Sequence, residues 1–95
     1  MNKPLPEKGR AVISMQGRDA ARSMVIVDVL DADYVLVADG DLRRIEHPKK
    51  KKLKHLRLTW QMMEALASGS EDGMPVNNAA IRAFLTNGTG PNAAD

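Results

Sequence analysis

The stretch that decides the fold is residues 23–40, which read SMVIVDVLDADYVLVADG and consist of two β-prone runs separated by an aspartate-rich turn. In the first run, Val25, Val27 and Val29 recur with the period of two that is typical of a strand. We expect this valine face to point into the core. The second run ends at Asp39-Gly40, a pair that favours a tight turn. The stretch therefore predicts a β-hairpin followed by another turn.

Further strands are predicted on both sides of this hairpin. Residues 10–15 form a β-prone run before it, and Gly17 supplies the intervening turn because glycine adopts positive φ at low cost. Residues 42–45 and 56–58 are predicted strands after it. Five short strands joined by tight turns indicate a mainly β protein that folds as a small antiparallel barrel.

The C-terminal part of the chain has a helical character. Residues 60–67 are helix-prone, and a second helix is predicted to begin at Asn77 or Asn78, since either side chain can cap it. Its apolar residues, Ile81, Phe84 and Leu85, recur at helical spacing. We expect this face to pack on the barrel, with a partner-binding face as the alternative. Gly88 ends the helix, and residues 89–95 are expected to be frayed.

Positive charge is concentrated in one segment. The chain carries a formal net charge of +2, yet residues 43–57 hold eight basic residues against Glu46 alone, a net of 8 − 1 = +7. We call these eight residues the basic strip: Arg43, Arg44, Lys49, Lys50, Lys51, Lys52, Lys54 and Arg57. Residues 1–42 and 58–95 are mildly acidic. We expect the strip to form one cationic ridge that attracts a polyanion.

Several kinds of chemistry are not expected. The absence of cysteine excludes disulfides, thiol nucleophiles and thiolate metal sites. No nucleotide-binding or hydrolase motif occurs, and His47 and His55 lie among lysines that would repel a cation. We therefore expect no enzyme, no cofactor, no metal site and no small-molecule substrate. The sequence also has neither a membrane-length apolar run nor the apolar core of a signal peptide, which predicts a cytoplasmic location and no membrane partner.

The aromatic content favours one mode of polyanion recognition. Proteins that read unpaired bases stack them on aromatic rings, whereas this chain has only Tyr34, Trp60 and Phe84, in three different elements. No helix-turn-helix carries the basic residues, which disfavours reading of the DNA major groove. The sequence therefore predicts contact with the phosphates of a structured RNA, without a stacking platform.

Residues 8–30 resemble a KOW motif, a strand, glycine loop and strand element. The matching residues are the apolar flanks 12–13 and 25–27, Gly17, and the basic Arg18 and Arg22. Residues 34–59 look like a bacterial group of KOW-domain RNA-binding proteins, which is similar to the fourteen-e type of large-subunit ribosomal protein. Residues 78–85 resemble the C-terminal helix of some bacterial members. The chain departs from the family in its first loop, where Ala20-Ala21 replaces a basic residue followed by glycine.

This resemblance implies an SH3-like, five-stranded barrel formed by a KOW domain over residues 8–59. One or two short helices would follow in an extension over residues 60–95. It also implies binding to structured RNA, in particular ribosomal RNA of the large subunit. The implied contacts are the basic strip, with Gly17, Arg18 and Arg22 as secondary contacts, and the C-terminal helices would touch ribosomal proteins. Two alternatives remain: a protein-interaction adaptor that uses those helices, and a transcription-associated KOW factor.

Overall fold

The computed structural model describes residues 4–17, 20–67 and 77–88, and within them the chain forms five strands and two α-helices. The strands are β1 (Arg10–Ser14), β2 (Ser23–Val29), β3 (Tyr34–Ala38), β4 (Lys49–Lys52) and β5 (Leu56–Met62). A short 3-10 helix, Leu53–His55, separates β4 from β5. The helices are α1 (Glu64–Ala67) and α2 (Asn78–Gly88).

The strands form one antiparallel sheet in the order β4-β3-β2-β1-β5. This arrangement confirms the predicted mainly β class and agrees with a small SH3-like barrel that carries short C-terminal helices. The predicted strands at residues 10–15, 23–30 and 34–38 agree with β1, β2 and β3 to within one residue at each end. A high content of β-prone residues between turns was sufficient to predict these three strands.

The strand predicted at residues 42–45 is wrong, because that segment forms a loop. One oxygen of the Asp39 carboxylate accepts hydrogen bonds from the backbone N–H groups of Asp41 and Arg43, at 2.9 and 2.8 Å. These contacts hold the chain in a turn, where it cannot pair with β3. The fourth strand is instead the lysine run Lys49–Lys52, whose residues pair in register with Tyr34–Val37.

The helix predicted over residues 60–67 is also wrong at its N-terminal end, because Trp60 belongs to β5. The register between β1 and β5 shifts within this strand, and a β-bulge results. The Thr59 hydroxyl stabilises the bulge by donating to the Ala11 carbonyl at 2.8 Å and accepting from the Gln61 N–H at 3.2 Å. Pairing of Met62 with Arg10 extends the ladder beyond the bulge, and helix α1 begins only at Glu64.

Two separate cores lie on the two faces of the sheet. The barrel core consists of Val12, Met24, Ile26, Val35, Val37 and Leu56. The helix-side core consists of Val25, Ala38, Met63, Ile81 and Leu85. Both faces of β2 are therefore buried along its first half. The expectation that the valine face points into the core is correct for Val25 and Val27, which lie in or against the helix-side core, and wrong for Val29, which is exposed. The opposite face is buried as well, because Met24 and Ile26 are fully buried in the barrel core.

Helix α2 is fixed to the sheet at its N-terminus. The Asn77 side chain accepts from the Ala80 N–H at 2.8 Å, which confirms the predicted cap. The neighbouring Asn78 is buried, and its side-chain oxygen accepts from the Ile45 N–H at 2.8 Å. Its amide nitrogen donates to both Glu46 carboxylate oxygens, at 2.7 and 2.9 Å. Asn78 thus joins α2 to the β3–β4 loop.

The contact between Asn78 and Glu46 leads to a prediction about pH. The amide hydrogen bonds of Asn78 are the main cause of a lowered Glu46 pKa, with a smaller contribution from the Arg44 charge. A carboxylate whose pKa is lowered by folding stabilises the fold above its ordinary pKa, and this contribution is lost as the pH falls through the lowered value. We expect Asn78→Ala to raise the Glu46 pKa toward its ordinary value, as measured by an NMR titration.

The matched control is Asn77→Ala, because Asn77 caps the same helix and donates nothing to Glu46. This control should leave the Glu46 titration where it is in the parent protein. An unchanged Glu46 titration in a folded Asn78→Ala variant would contradict the assignment.

Candidate nucleic-acid interface

Most of the basic strip lies on an edge strand and the 3-10 helix that follows it. Among the described residues, β4 pairs only with β3, and its four residues are all lysines. Lys54 follows within the 3-10 helix and is exposed. We call Lys49–Lys52 together with Lys54 the lysine edge. An edge strand suits this composition, because long charged side chains there extend into solvent and need no partner strand beyond them.

One face of β4 brings two lysines to an aromatic ring. Lys52 is directly opposite Tyr34 in the β3–β4 register, and Lys50 is two residues further along. Their Nζ atoms lie 5.6 Å and 4.6 Å, respectively, from the centroid of the Tyr34 ring. These distances are within the range of cation–π attraction, so the ring orients both ammonium groups.

The other face of β4 points toward the first loop. Lys49 and Lys51 pair with Val37 and Val35, whose side chains belong to the barrel core. At the rim of that core the Lys51 ammonium donates to the Gln16 carbonyl at 3.3 Å. It also lies 3.6 Å from the position that a Cβ on Gly17 would occupy. The structure therefore brings the predicted secondary contact at Gly17 next to the lysine edge.

The expected single ridge is consequently divided. The strip is continuous along the chain from β4 through the 3-10 helix to Arg57 in β5, but strand alternation sends neighbouring lysines to opposite sides of β4. Charge is presented on both sides of one open edge. Within the described part of the chain no carboxylate neutralises the members of this set: Lys49, Lys50, Lys52, Lys54 and Arg57.

The remaining predicted contacts lie elsewhere. Arg43 and Arg44 are in the β3–β4 loop, where the Arg43 carbonyl accepts from the Asp39 and Gly40 N–H groups. The Arg44 Nε atom lies 4.0 Å from a Glu46 oxygen. An Arg22 guanidinium nitrogen lies 2.8 Å from an oxygen of the buried Asp39 carboxylate, and this salt bridge partly neutralises the Arg22 charge. Arg18 lies outside the described residues. Their RNA contacts stay predictions.

A concave site between β3 and the lysine edge was missed by sequence reasoning. It is a cavity of about 280 Å³ lined by Asp33, Tyr34, Lys52 and Lys54. The three aromatic residues do belong to different elements, which disfavoured a stacking platform. The sequence did place Tyr34 at the start of a strand, which was a partial indication of this site. That Lys52 lies opposite Tyr34 follows only from the β3–β4 register.

Two other features are absent from the described residues. Across residues 4–17, 20–67 and 77–88, no group of three or more His, Cys, Asp or Glu side chains could hold a metal ion. Nor does this part of the chain contain a helix with the length and apolar character required to cross a membrane.

Ribosomal proteins of archaea are among the known proteins to which the chain is similar, while no family model matches it. The chain is 25% identical over 84 residues to large ribosomal subunit protein eL14 of Staphylothermus marinus, covering 86% of this chain and 88% of that protein. It is 30% identical over 64 residues to the eL14 protein of Pyrobaculum arsenaticum, covering 67% of this chain and 62% of that protein. The chain is thus a weak but extended match to archaeal eL14 ribosomal proteins.

Proposed function

We propose that this chain is a non-catalytic, ribosome-associated RNA-binding protein that contacts phosphates of large-subunit ribosomal RNA through its basic strip. The observation that carries the proposal is the lysine edge, where four ammonium groups have no carboxylate partner among the described residues: Lys49, Lys50, Lys52 and Lys54. The two archaeal relatives, both named as proteins of the large ribosomal subunit, support the same function.

The geometry of the lysine edge suits a phosphate backbone. Residues that share a face of a strand are about 6.6 to 6.8 Å apart, taking a rise of 3.3 to 3.4 Å per residue. This distance is close to the spacing of successive phosphates along a nucleic acid strand. Lys50 and Lys52 form such a pair on one face, and Lys49 and Lys51 form another on the opposite face. Each pair can follow one phosphate strand at either side of the edge.

The rest of the fold supports this edge. Residues 8–59 supply nearly all of the barrel, and the lysine edge lies within them. Gly17 and Arg18 in the first loop, Arg22 at the start of β2, and Arg43-Arg44 in the β3–β4 loop are proposed as secondary RNA contacts.

The C-terminal helices have a different role in this proposal. Ile81 and Leu85 of α2 are buried against the sheet, so the apolar face that the adaptor alternative requires is already covered. The exposed face of α2, which includes Ala79, Arg82 and Ala83, is where we propose contact with a ribosomal protein.

Salt dependence of RNA binding tests the proposal. The five cations without a carboxylate partner, Lys49, Lys50, Lys52, Lys54 and Arg57, would make five phosphate contacts. At a slope of −0.7 to −0.9 per contact, log K against log salt should fall with a slope of about −3.5 to −4.5. Fluorescence anisotropy with labelled large-subunit ribosomal RNA fragments measures this slope. A slope near zero would contradict the proposal.

Crosslinking in cells separates ribosomal from transcriptional roles. The proposal expects sequencing of the crosslinked RNA to return mainly large-subunit ribosomal RNA, and the protein should sediment with large rather than small subunits. Reads that map mainly to nascent or messenger RNA would instead favour the transcription-associated alternative.

A further inference from the structure

We propose that the cavity between Tyr34 and the lysine edge receives one unpaired nucleotide of the bound RNA, an inference that rests on the proposed function and extends it. The phosphate would lie between Lys52 and Lys54, and the base would stack on the Tyr34 ring. This site adds recognition of an unpaired nucleotide to a surface that otherwise contacts only phosphates.

The cavity has the composition that a nucleotide requires. The cavity has a volume of about 280 Å³. It is lined by the aromatic residue Tyr34, the basic residues Lys52 and Lys54, and the acidic residue Asp33. A free phosphate would need only the cations, and the Asp33 carboxylate would repel it. An aromatic surface and a hydrogen-bond acceptor beside the cations match the base and the ribose of a nucleotide.

The aromatic wall is held in place before any ligand binds. The Asp31 carboxylate accepts from the backbone N–H groups of Asp33 and Tyr34, at 2.8 and 2.9 Å. On the other side the Asp33 carbonyl accepts from the Leu53 N–H at 2.7 Å, which links the turn to the end of β4. The backbone that carries Tyr34 and the backbone at the end of β4 therefore keep a fixed relation, and only side chains need to be ordered on binding.

In the free protein, lysine ammonium groups occupy the Tyr34 ring, and a base can replace them there. The ammonium groups of Lys50 and Lys52 lie over or near the Tyr34 ring and have no carboxylate partner among the described residues. An entering base replaces them on the ring, and each ammonium gains a phosphate in return, a stronger partner than a π-face. The long lysine side chains allow this movement without a change in the backbone.

The Asp33 carboxylate gives the site a means to distinguish RNA from DNA. It has no salt bridge with a residue of the described segments, so its oxygens are available as acceptors. A ribose 2′-hydroxyl is the donor that RNA has and DNA lacks. We therefore place the ribose edge of the nucleotide toward Asp33, away from the phosphate.

Two RNA hairpins that differ by one bulged adenosine test the inference. The 95-residue chain should bind the bulged hairpin about 5- to 100-fold more tightly than the fully paired hairpin at the same salt concentration, since stacking of one base is expected to supply this preference. Tyr34→Leu should abolish the preference for the bulged hairpin and leave the salt slope unchanged, whereas Tyr34→Phe should retain the preference.

The contact between Asp33 and the ribose is tested with a 2′-deoxy substitution at the bulged nucleotide. This substitution should weaken binding by the parent protein about tenfold and should not change the affinity of the Asp33→Ala variant.

The matched lysine control lies on the same strand. Lys52→Gln should reduce the preference for the bulged hairpin, whereas Lys49→Gln, on the opposite face of β4, should weaken binding to both hairpins equally. Equal affinities of the parent protein for both hairpins, together with a salt slope near −4, would overturn the nucleotide site and leave the proposed function intact. Failure of the parent protein to bind either hairpin would overturn the nucleotide site and the proposed function together.

Discussion

Replacement of Gly40 by alanine is expected to destabilise the protein by about 2 to 5 kcal/mol, the largest single-residue effect that we predict. Gly40 has a φ of +78°, in the left-handed region that costs an L-residue about 1 to 2 kcal/mol. A Cβ there would also overlap the backbone oxygen of Asn78 in the first turn of α2. Because that atom belongs to a packed helix, relief of the overlap requires α2 to move off the sheet. Urea denaturation measures the loss.

Gly17→Ala is the matched control for this prediction. Gly17 has a similar φ of +83°, but a Cβ there would meet only the Lys51 ammonium, at 3.6 Å, which is an ordinary contact. Gly17→Ala should therefore lower the free energy of unfolding only by the cost of the left-handed backbone conformation, about 1 to 2 kcal/mol. Equal losses at Gly40 and Gly17 would show that close approach of the helix contributes nothing.

Removal of four charges from the lysine edge is expected to have the largest effect on binding. With Lys49, Lys50, Lys52 and Lys54 all replaced by glutamine, affinity for large-subunit ribosomal RNA should fall about 100- to 1000-fold at 0.1 M salt, and the salt slope should become shallower by about 3. The folded state should lose no more than about 2 kcal/mol, because the contacts of Lys50 and Lys52 with Tyr34 contribute about 0.5 to 1 kcal/mol each. Anisotropy titrations and thermal melts measure the two effects.

Single substitutions supply the control. Lys52→Gln should change the salt slope by about 0.7 to 0.9, whereas Lys8→Gln, an equal loss of charge at an exposed turn before β1, should leave it unchanged. Equal effects of the two single variants would show that net charge, and not the lysine edge, governs binding.

The strands that could be predicted from sequence are the short β-prone runs that are bounded by turns. β1, β2 and β3 have this pattern, and the N-terminus of α2 is marked by Asn77, whose capping role depends only on neighbouring residues. Burial of the Met24 and Ile26 face of β2 was not predicted, because alternation distinguishes the two faces of a strand and does not show that core residues cover both.

The position of β4 could not be predicted from local pattern. Four consecutive lysines have little intrinsic preference for a strand, and their pairing is supplied by β3, more than ten residues earlier in the chain. The more apolar residues 42–45 were a reasonable choice for a strand, yet the Asp39 carboxylate binds two backbone N–H groups of the following turn and removes that segment from the sheet. For the same reason the site at Tyr34 was not foreseen.

The open edge formed by β4 has a consequence for the protein before it reaches its target. A second molecule that added its own β4 to this edge would place two rows of lysines on adjacent strands, whose backbones are about 4.8 Å apart. Mutual repulsion at that distance disfavours growth into a continuous intermolecular sheet. The lysines that we assign to RNA binding therefore also disfavour self-association of unbound copies. Once RNA is bound, it covers the same edge.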